Sequence, residues 1–377
     1  MRTERSMLAA VVVCAVVMGG RAWGLGAGDL VVYETRNDIV IGSNNAAPVS
    51  ILEISPTSGL VQSIAVSTQA SPLYSTTMDP IANMALSANG AEVSFPGWAG
   101  KGVGALGLSP SVPRGVGTVS GTGVYGQPST FTVASAGVDQ PHAAYSPDGV
   151  NWYFGATSGM YYNGGTAPLT GSDATLSIKG FGGKTYALHT LDTPFLNGND
   201  VGPGTAATVL STVTPTTPGA GITSISYTPV VTLPTAAHDF VLLSSFNQAP
   251  DTLYVTTNNG ISKYSGSGSS WTAEGTFALT GATSITGAFV TGIGVELFVT
   301  VDTGSGSTVV GKLEEVVDTA AHNVTMSAGT PTVLYTAPSF DALEGVAFAP
   351  VPEPAGVGML VVGSLGLLGR RRGGRRD

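Results

Sequence analysis

Residues 243–264 (LSSFNQAPDTLYVTTNNGISKY) decide how this chain folds. Residues 252–256 and 261–264 are short runs of Thr, Leu, Val, Ile and Tyr, and Asn258, Asn259 and Gly260 lie between them. β-Branched and aromatic side chains suit a pleated, half-buried surface. Asn and Gly accept the positive φ of a tight turn. The stretch therefore predicts an antiparallel hairpin, preceded by a further strand at 240–244. The same order of apolar run, turn with Gly, Asn or Asp, and second run recurs at 84–95 (MALSANGAEVSF), 143–156 (AAYSPDGVNWYFGA), 176–189 (LSIKGFGGKTYALH) and 287–300 (GAFVTGIGVELFVT).

Outward from these copies the pattern holds. Residues 30–33, 49–54, 60–66, 151–155, 185–189, 222–228, 296–301, 309–313 and 332–335 also read as strands, and a 3.6-residue apolar period persists nowhere between 28 and 350. The 377 residues include 53 Gly and 23 Pro with no three-residue period, which excludes collagen. Charged residues are 10% of the chain, too few for a long helix or coiled coil.

The Ser146-Pro147-Asp148-Gly149 turn and the Leu253-Tyr254-Val255 strand resemble blades of secreted β-propellers of the YVTN and NHL kind. That resemblance implies an all-β propeller. The body, residues 28–350, divided by ~45 residues per four-stranded blade gives about seven blades. Turn centres near 89, 148, 182, 249 and 293 are irregularly spaced, which implies insertions. Residues 344–349 (EGVAFA) lack a following strand and 29–34 (DLVVYE) lack a preceding one. Pairing them would close the ring and remove an open edge. A β-sandwich or a β-solenoid is the alternative.

Both ends read as addresses. Residues 1–27 have the order of a secretory signal peptide: Arg2 and Arg5, an apolar run at 7–18, then small residues. The only cysteine, Cys14, lies inside it, so the mature chain has no thiol or disulfide chemistry. At the other end, residues 351–377, Pro352, Glu353 and Pro354 precede an apolar run at 355–368 and a cluster containing Arg370, Arg371 and Arg372. This tail resembles the bacterial PEP-CTERM sorting signal. The resemblance implies processing by an exosortase-like membrane enzyme after a signal peptidase has acted. It also implies transient or stable anchoring through residues 355–369 and delivery to the cell surface or matrix. Fourteen apolar residues span ~21 Å as a helix, short of a ~30 Å hydrocarbon core unless flanking residues contribute. The arginines place the C-terminus on the cytoplasmic side.

The body keeps 7 of the 15 basic and 21 of the 24 acidic residues, a net charge of −14 against −9 for the whole chain. That balance excludes nucleic acid as a partner. No Gly-x-Ser-x-Gly elbow occurs. Gly102–Gly107 and Gly121–Gly126 match Gly-x-Gly-x-x-Gly, but prolines and a Thr-rich strand follow where a helix is required, so no cofactor is expected. No metal spacing joins His142, His189, His238 and His322; His238 and Asp239 are the adjacent pair, and a propeller axis could gather the first three. Asp148 to Asn151 and Asn197 to Asp200 read as turns rather than calcium loops. Exposed aromatics at 152–154 or 161–162 would stack on sugars, although strand alternation sends half of them inward.

These observations point to an exported, non-catalytic surface or matrix protein that binds an extracellular polysaccharide or a surface protein. The alternative is a propeller-borne polysaccharide lyase or hydrolase, which would need ionisable groups converging on the ring axis.

Overall fold

The computed structural model describes residues 24–36, 46–76, 82–100, 112–132, 139–190, 208–216, 221–233, 237–245, 249–304 and 309–351. Residues 1–23 of the expected signal peptide (1–27), and Pro352, Glu353, Pro354, Arg370, Arg371 and Arg372, lie outside them. The described residues are strands and turns, with one 3-10 turn at Val66–Thr68. Among them no helix is long and apolar enough to cross a membrane; residues 355–369 are not among them.

A nine-stranded sheet contains β1 (Leu30–Arg36), β2 (Ala46–Ser55), β3 (Gly59–Ala65), β4 (Tyr74–Thr76), β5 (Ala85–Leu86), β6 (Glu92–Trp98), β7 (Arg114–Ser120), β8 (Tyr125–Phe131) and the last strand, β24 (Asp341–Phe348). Four separate sheets follow. The first is β9 (Pro141–Tyr145), β10 (Tyr153–Ala156) and β11 (Gly159–Tyr162). The second is β12 (Thr175–Phe181), β13 (Lys184–Thr190), β14 (Thr208–Pro215) and β15 (Ile225–Leu233). The third is β16 (Ala237–Leu243), β17 (Thr252–Thr257), β18 (Gly260–Ser267) and β19 (Ser270–Ala278), and the fourth β20 (Ala282–Val290), β21 (Gly294–Thr303), β22 (Val310–Asp318) and β23 (Thr332–Thr336).

The arrangement is a β-propeller, but not of about seven blades. Four blades stand as separate sheets. The nine-stranded sheet supplies two further layers, β24-β1-β2-β3 and β5-β6-β7-β8, fused through the short β4, which pairs with both β2 and β6. Apolar side chains fill each gap between neighbouring layers. Tyr33, Ile51, Val93 and Phe95 pack between the two fused layers. Val116, Phe131 and Phe154 fill the next gap, then Tyr145, Ile178 and Ala187, then Leu210, Phe240 and Val255. Tyr254, Ile285 and Leu297 follow, and Leu30, Leu52, Phe298, Leu313 and Leu343 complete the circle. Dividing the length by 45 overcounts because long segments such as 101–111 and 191–207 separate paired strands.

Ring closure follows the sequence reading. β1 pairs antiparallel with β24, Leu30 opposite Phe348 and Tyr33 opposite Gly345, with a register shift after Tyr33. Ala349 N–H then donates to the Asp29 carbonyl at 2.8 Å. The five turns centred near 89, 148, 182, 249 and 293 each join the innermost strand of a layer to its second strand. They share one side of the ring, called here the turn face. The 252–264 hairpin forms as expected, Thr257 opposite Gly260.

Candidate functional site

The innermost strands β5, β9, β12, β16, β20 and β24 surround the axis, each touching the next. The axis is closed by the chain itself. Residues 82–84, leading into β5, run into it: Asn83 Nδ2 donates to the carbonyls of Leu176 and His238 at 2.9 and 2.8 Å, bridging β12 and β16. A side chain at Gly345 of β24 would strike the Ala82 carbonyl, so the closing strand and the plug approach backbone to backbone.

Beside the plug, Asp239 of β16 is fully buried and gathers donors from the layers on either side of its own. Ser177 Oγ donates to its Oδ1 at 2.6 Å. Lys179 Nζ, Ser284 Oγ and Ile285 N–H donate to its Oδ2 at 2.7, 2.6 and 2.9 Å. Lys179 also donates to the Ile285 carbonyl at 2.8 Å. Burial lowers the Lys179 pKa, while the Asp239 charge and hydrogen bond oppose that shift. A buried ion pair holds only when its remaining polar atoms are satisfied, and both Asp239 oxygens are. The axis is therefore a polar bracket that ties three blades together. Sequence reasoning missed it because the partners are 45–62 residues apart. Each of these innermost strands carries other polar residues too, so Ser177, Asp239 and Ser284 were not marked out by their own strands.

The three candidate histidines do not converge. His142, on β9, sits 3.2 Å from the Thr175 carbonyl through Nδ1. His238 Nε2 lies 2.9 Å from Asn258 Oδ1. The carboxylate of its neighbour Asp239 is held by Ser177, Lys179, Ser284 and Ile285. His322 is on the β22–β23 connection.

His189, on β13, has the most suggestive surroundings. Its Nδ1 is 3.1 Å from Asp173 Oδ2, its Nε2 is 2.9 Å from Ser211 Oγ, and its ring stacks on Tyr227 at 3.9 Å between centroids. An acid, an imidazole and a hydroxyl in that order are the polarity of a nucleophilic relay. However, Ser211 has no exposure, and the Tyr227 ring covers a face of the imidazole. Burial lowers the His189 pKa and pushes Tyr227 up to about 12. Ser211 Oγ, with no exposure, is reached by no solvent in this conformation.

Two more buried clusters sit between blades. Lys263 and Asp318, both fully buried, pair at 2.8 Å, and Tyr254 OH donates to the same carboxylate oxygen at 2.7 Å. The Arg114 guanidinium lies 4.2 Å over the Trp98 ring, with Nε donating to the Asp139 carbonyl at 2.9 Å. Asp139 in turn accepts from Ser158 and Tyr161. Burial lowers the Arg114 pKa. Three of the seven basic residues of the body are thus used inside, alongside a larger set of buried acids that includes Glu34, Glu53, Asp341 and Glu344.

Asp148 caps its turn as expected, accepting from Val150 N–H and Asn151 N–H at 2.9 and 2.7 Å. Burial alone would raise its pKa, but the donors of Asn151 and Val150 hold it below the ordinary value. Gly121–Gly123 form the β7–β8 turn, Gly123 at φ +73°, with no helix for a dinucleotide. Trp98, Trp152, Phe154 and Tyr161 are buried, so they offer no sugar-stacking row. Among the described residues no group of three metal-binding side chains assembles. The 102–107 glycine match and residues 197–200 lie outside the described residues.

No family model and no curated protein matches the chain. Solved structures resemble it remotely. An exo-1,5-α-L-arabinanase from a bovine ruminal metagenomic library is 15% identical over 55% of this chain and 82% of its own, with a TM-score of 0.35. A Synechocystis apocarotenoid oxygenase variant is 11% identical over 82% and 71%, TM-score 0.40. Apo AztD from Citrobacter koseri is 10% identical over 86% and 99%, TM-score 0.37. At these values the likenesses carry no argument about activity.

Proposed function

We propose that this chain is an exported, non-catalytic cell-surface or matrix protein, delivered through its C-terminal sorting signal and binding an extracellular polymer or partner protein. One observation supports the reading above the others. β24 closes the ring and ends at Phe348, and the Ala349–Asp29 hydrogen bond fastens it before Pro352 is reached. Removing everything from Pro352 onward takes none of the described strands from the propeller, so a processing enzyme can cut there and leave them all in place. The fully occupied Asp239 carboxylate adds to the case against its acting as an acid or base at the axis. The Asp173–His189–Ser211 contact favours the second reading, a propeller-borne hydrolase or lyase, and the burial of Ser211 counts against it.

The test is to express the chain in an exosortase-bearing host with Pro352→Ala, Glu353→Ala and Pro354→Ala together. The unchanged chain is expected in the surface fraction and the triple variant in the membrane fraction. Identical fractionation would overturn the proposal.

A further inference from the structure

On the turn face the axis opens into a funnel of about 120 Å³, below the 82–84 plug. Its walls are mainly apolar, with Met84, Leu86, Phe181, Phe240, Leu242 and Phe348 among the lining side chains. The funnel is somewhat smaller than the ~150 Å³ apolar cavity that accepts benzene, so it has room for a branched chain or for part of one ring, with the rest of the molecule outside. One charged side chain, Lys179, lines it and is 15% exposed. An ammonium has three donors. Two go to Asp239 and to the Ile285 carbonyl, and the third has no acceptor among the described residues.

The charge balance fixes the ligand class. Asp239, 2.7 Å from Lys179, already neutralises the ammonium. An entering carboxylate would lose its water and find a pair of net zero charge with an anion behind it, and taking an ion out of water costs several kcal/mol. An entering ammonium would meet Lys179 itself. A neutral oxygen acceptor costs far less to desolvate and completes the donor set of Lys179. We propose that the funnel is a binding site for a small neutral amphipathic molecule, an aromatic or branched aliphatic body bearing a carbonyl or hydroxyl oxygen held by Lys179. The proposal is independent of the sorting signal and goes beyond polymer binding.

The experiment titrates the full chain by calorimetry with four probes of one shape: benzyl alcohol, toluene, benzoate and benzylamine. Benzyl alcohol is expected to bind saturably, roughly tenfold more tightly than toluene, the factor that one net hydrogen bond of about 1.4 kcal/mol supplies. Benzoate and benzylamine are expected to be weaker still. Leu86→Trp, at the exposed rim, should fill the mouth and abolish binding without touching the bracket. Lys179→Met should bring benzyl alcohol down to the affinity of toluene. Absence of saturation with benzyl alcohol, or unchanged binding in Leu86→Trp, overturns the site. Tighter binding of benzoate overturns the neutral class. Should Lys179→Met fail to fold, the Leu86→Trp titration and the probe ranking still decide.

Discussion

Replacing Asp239 with Asn keeps its shape and removes the charge on which the axis depends. Three donors converge on Oδ2: Lys179 Nζ, Ser284 Oγ and Ile285 N–H. An amide turned so that its oxygen keeps those three donors presents NH₂ to Ser177 Oγ, whose hydroxyl can rotate to accept it, so the loss is chiefly the charge opposite Lys179. The Lys179 ammonium is left largely buried without its counter-charge. Breaking a buried pair by removing one partner costs ~3–5 kcal/mol. Lys179→Met should cost less by ~1 kcal/mol or more, because three neutral donors still hold the carboxylate and the thioether stays near the Phe240 ring. The double variant should cost less than the sum of the single ones by ~1–3 kcal/mol, since the residues share one network. At ~2–4 °C of melting temperature per kcal/mol for chains of 150–250 residues, Asp239→Asn should melt roughly 6–20 °C below the parent. Urea unfolding followed by the fluorescence of buried Trp98 and Trp152 reads the same quantity. A loss under ~1 kcal/mol, or strict additivity, would refute the bracket as the element that ties the blades together.

Three further outcomes follow from the same contacts. Burial raises the pKa of Asp302 to about 7, against one backbone donor from Leu343, and its Oδ2 has no hydrogen-bond partner. Protonated Asp302 is the form that the fold favours, so its contribution is complete below pH ~4 and is lost as pH rises through about 7. The loss is at most ~4 kcal/mol, less what water screens at this incompletely buried position. Asp302→Asn should remove that slope from a plot of melting temperature against pH, and an unchanged slope rejects the assignment. Ending the chain after Val351 should leave the melting temperature unaltered, whereas ending it after Phe340 removes β24 and should abolish cooperative unfolding; a folded product lacking β24 would refute closure by that strand. The full chain should not react with a fluorophosphonate, and Ser211→Ala should cost only ~1 kcal/mol in urea unfolding. Labelling that disappears in Ser211→Ala would reinstate the hydrolase reading.

What could be read from the sequence was local. Asn89, Asp148 and Gly182 announce their turns because Asx capping and positive φ depend on neighbours only. The closure of β1 against β24 was legible because each terminal run lacked a partner. The blade number was not, because it depends on which runs pair and on how much chain lies between them. β7 (RGVGTVS) has little strand character in its composition. Its Gly117 is small because the Phe95 ring occupies the space of a side chain there, a fact of packing that no local pattern carries. The axial bracket was hidden for a related reason. Asp239 stood out beside His238, but the donors that hold its carboxylate come from other blades. The histidines drew attention as chemical groups, and the fold uses His142 and His189 as buried hydrogen-bonding groups.

The most direct test of the account is the intact mass of the protein recovered from the surface of an exosortase-bearing host. The account expects both ends to be missing: the N-terminus within a few residues of Gly24 and the C-terminus near Pro352 to Pro354, leaving the closed ring. A recovered chain that still ends at Asp377, with residues 355–369 and the arginines in place, would contradict it.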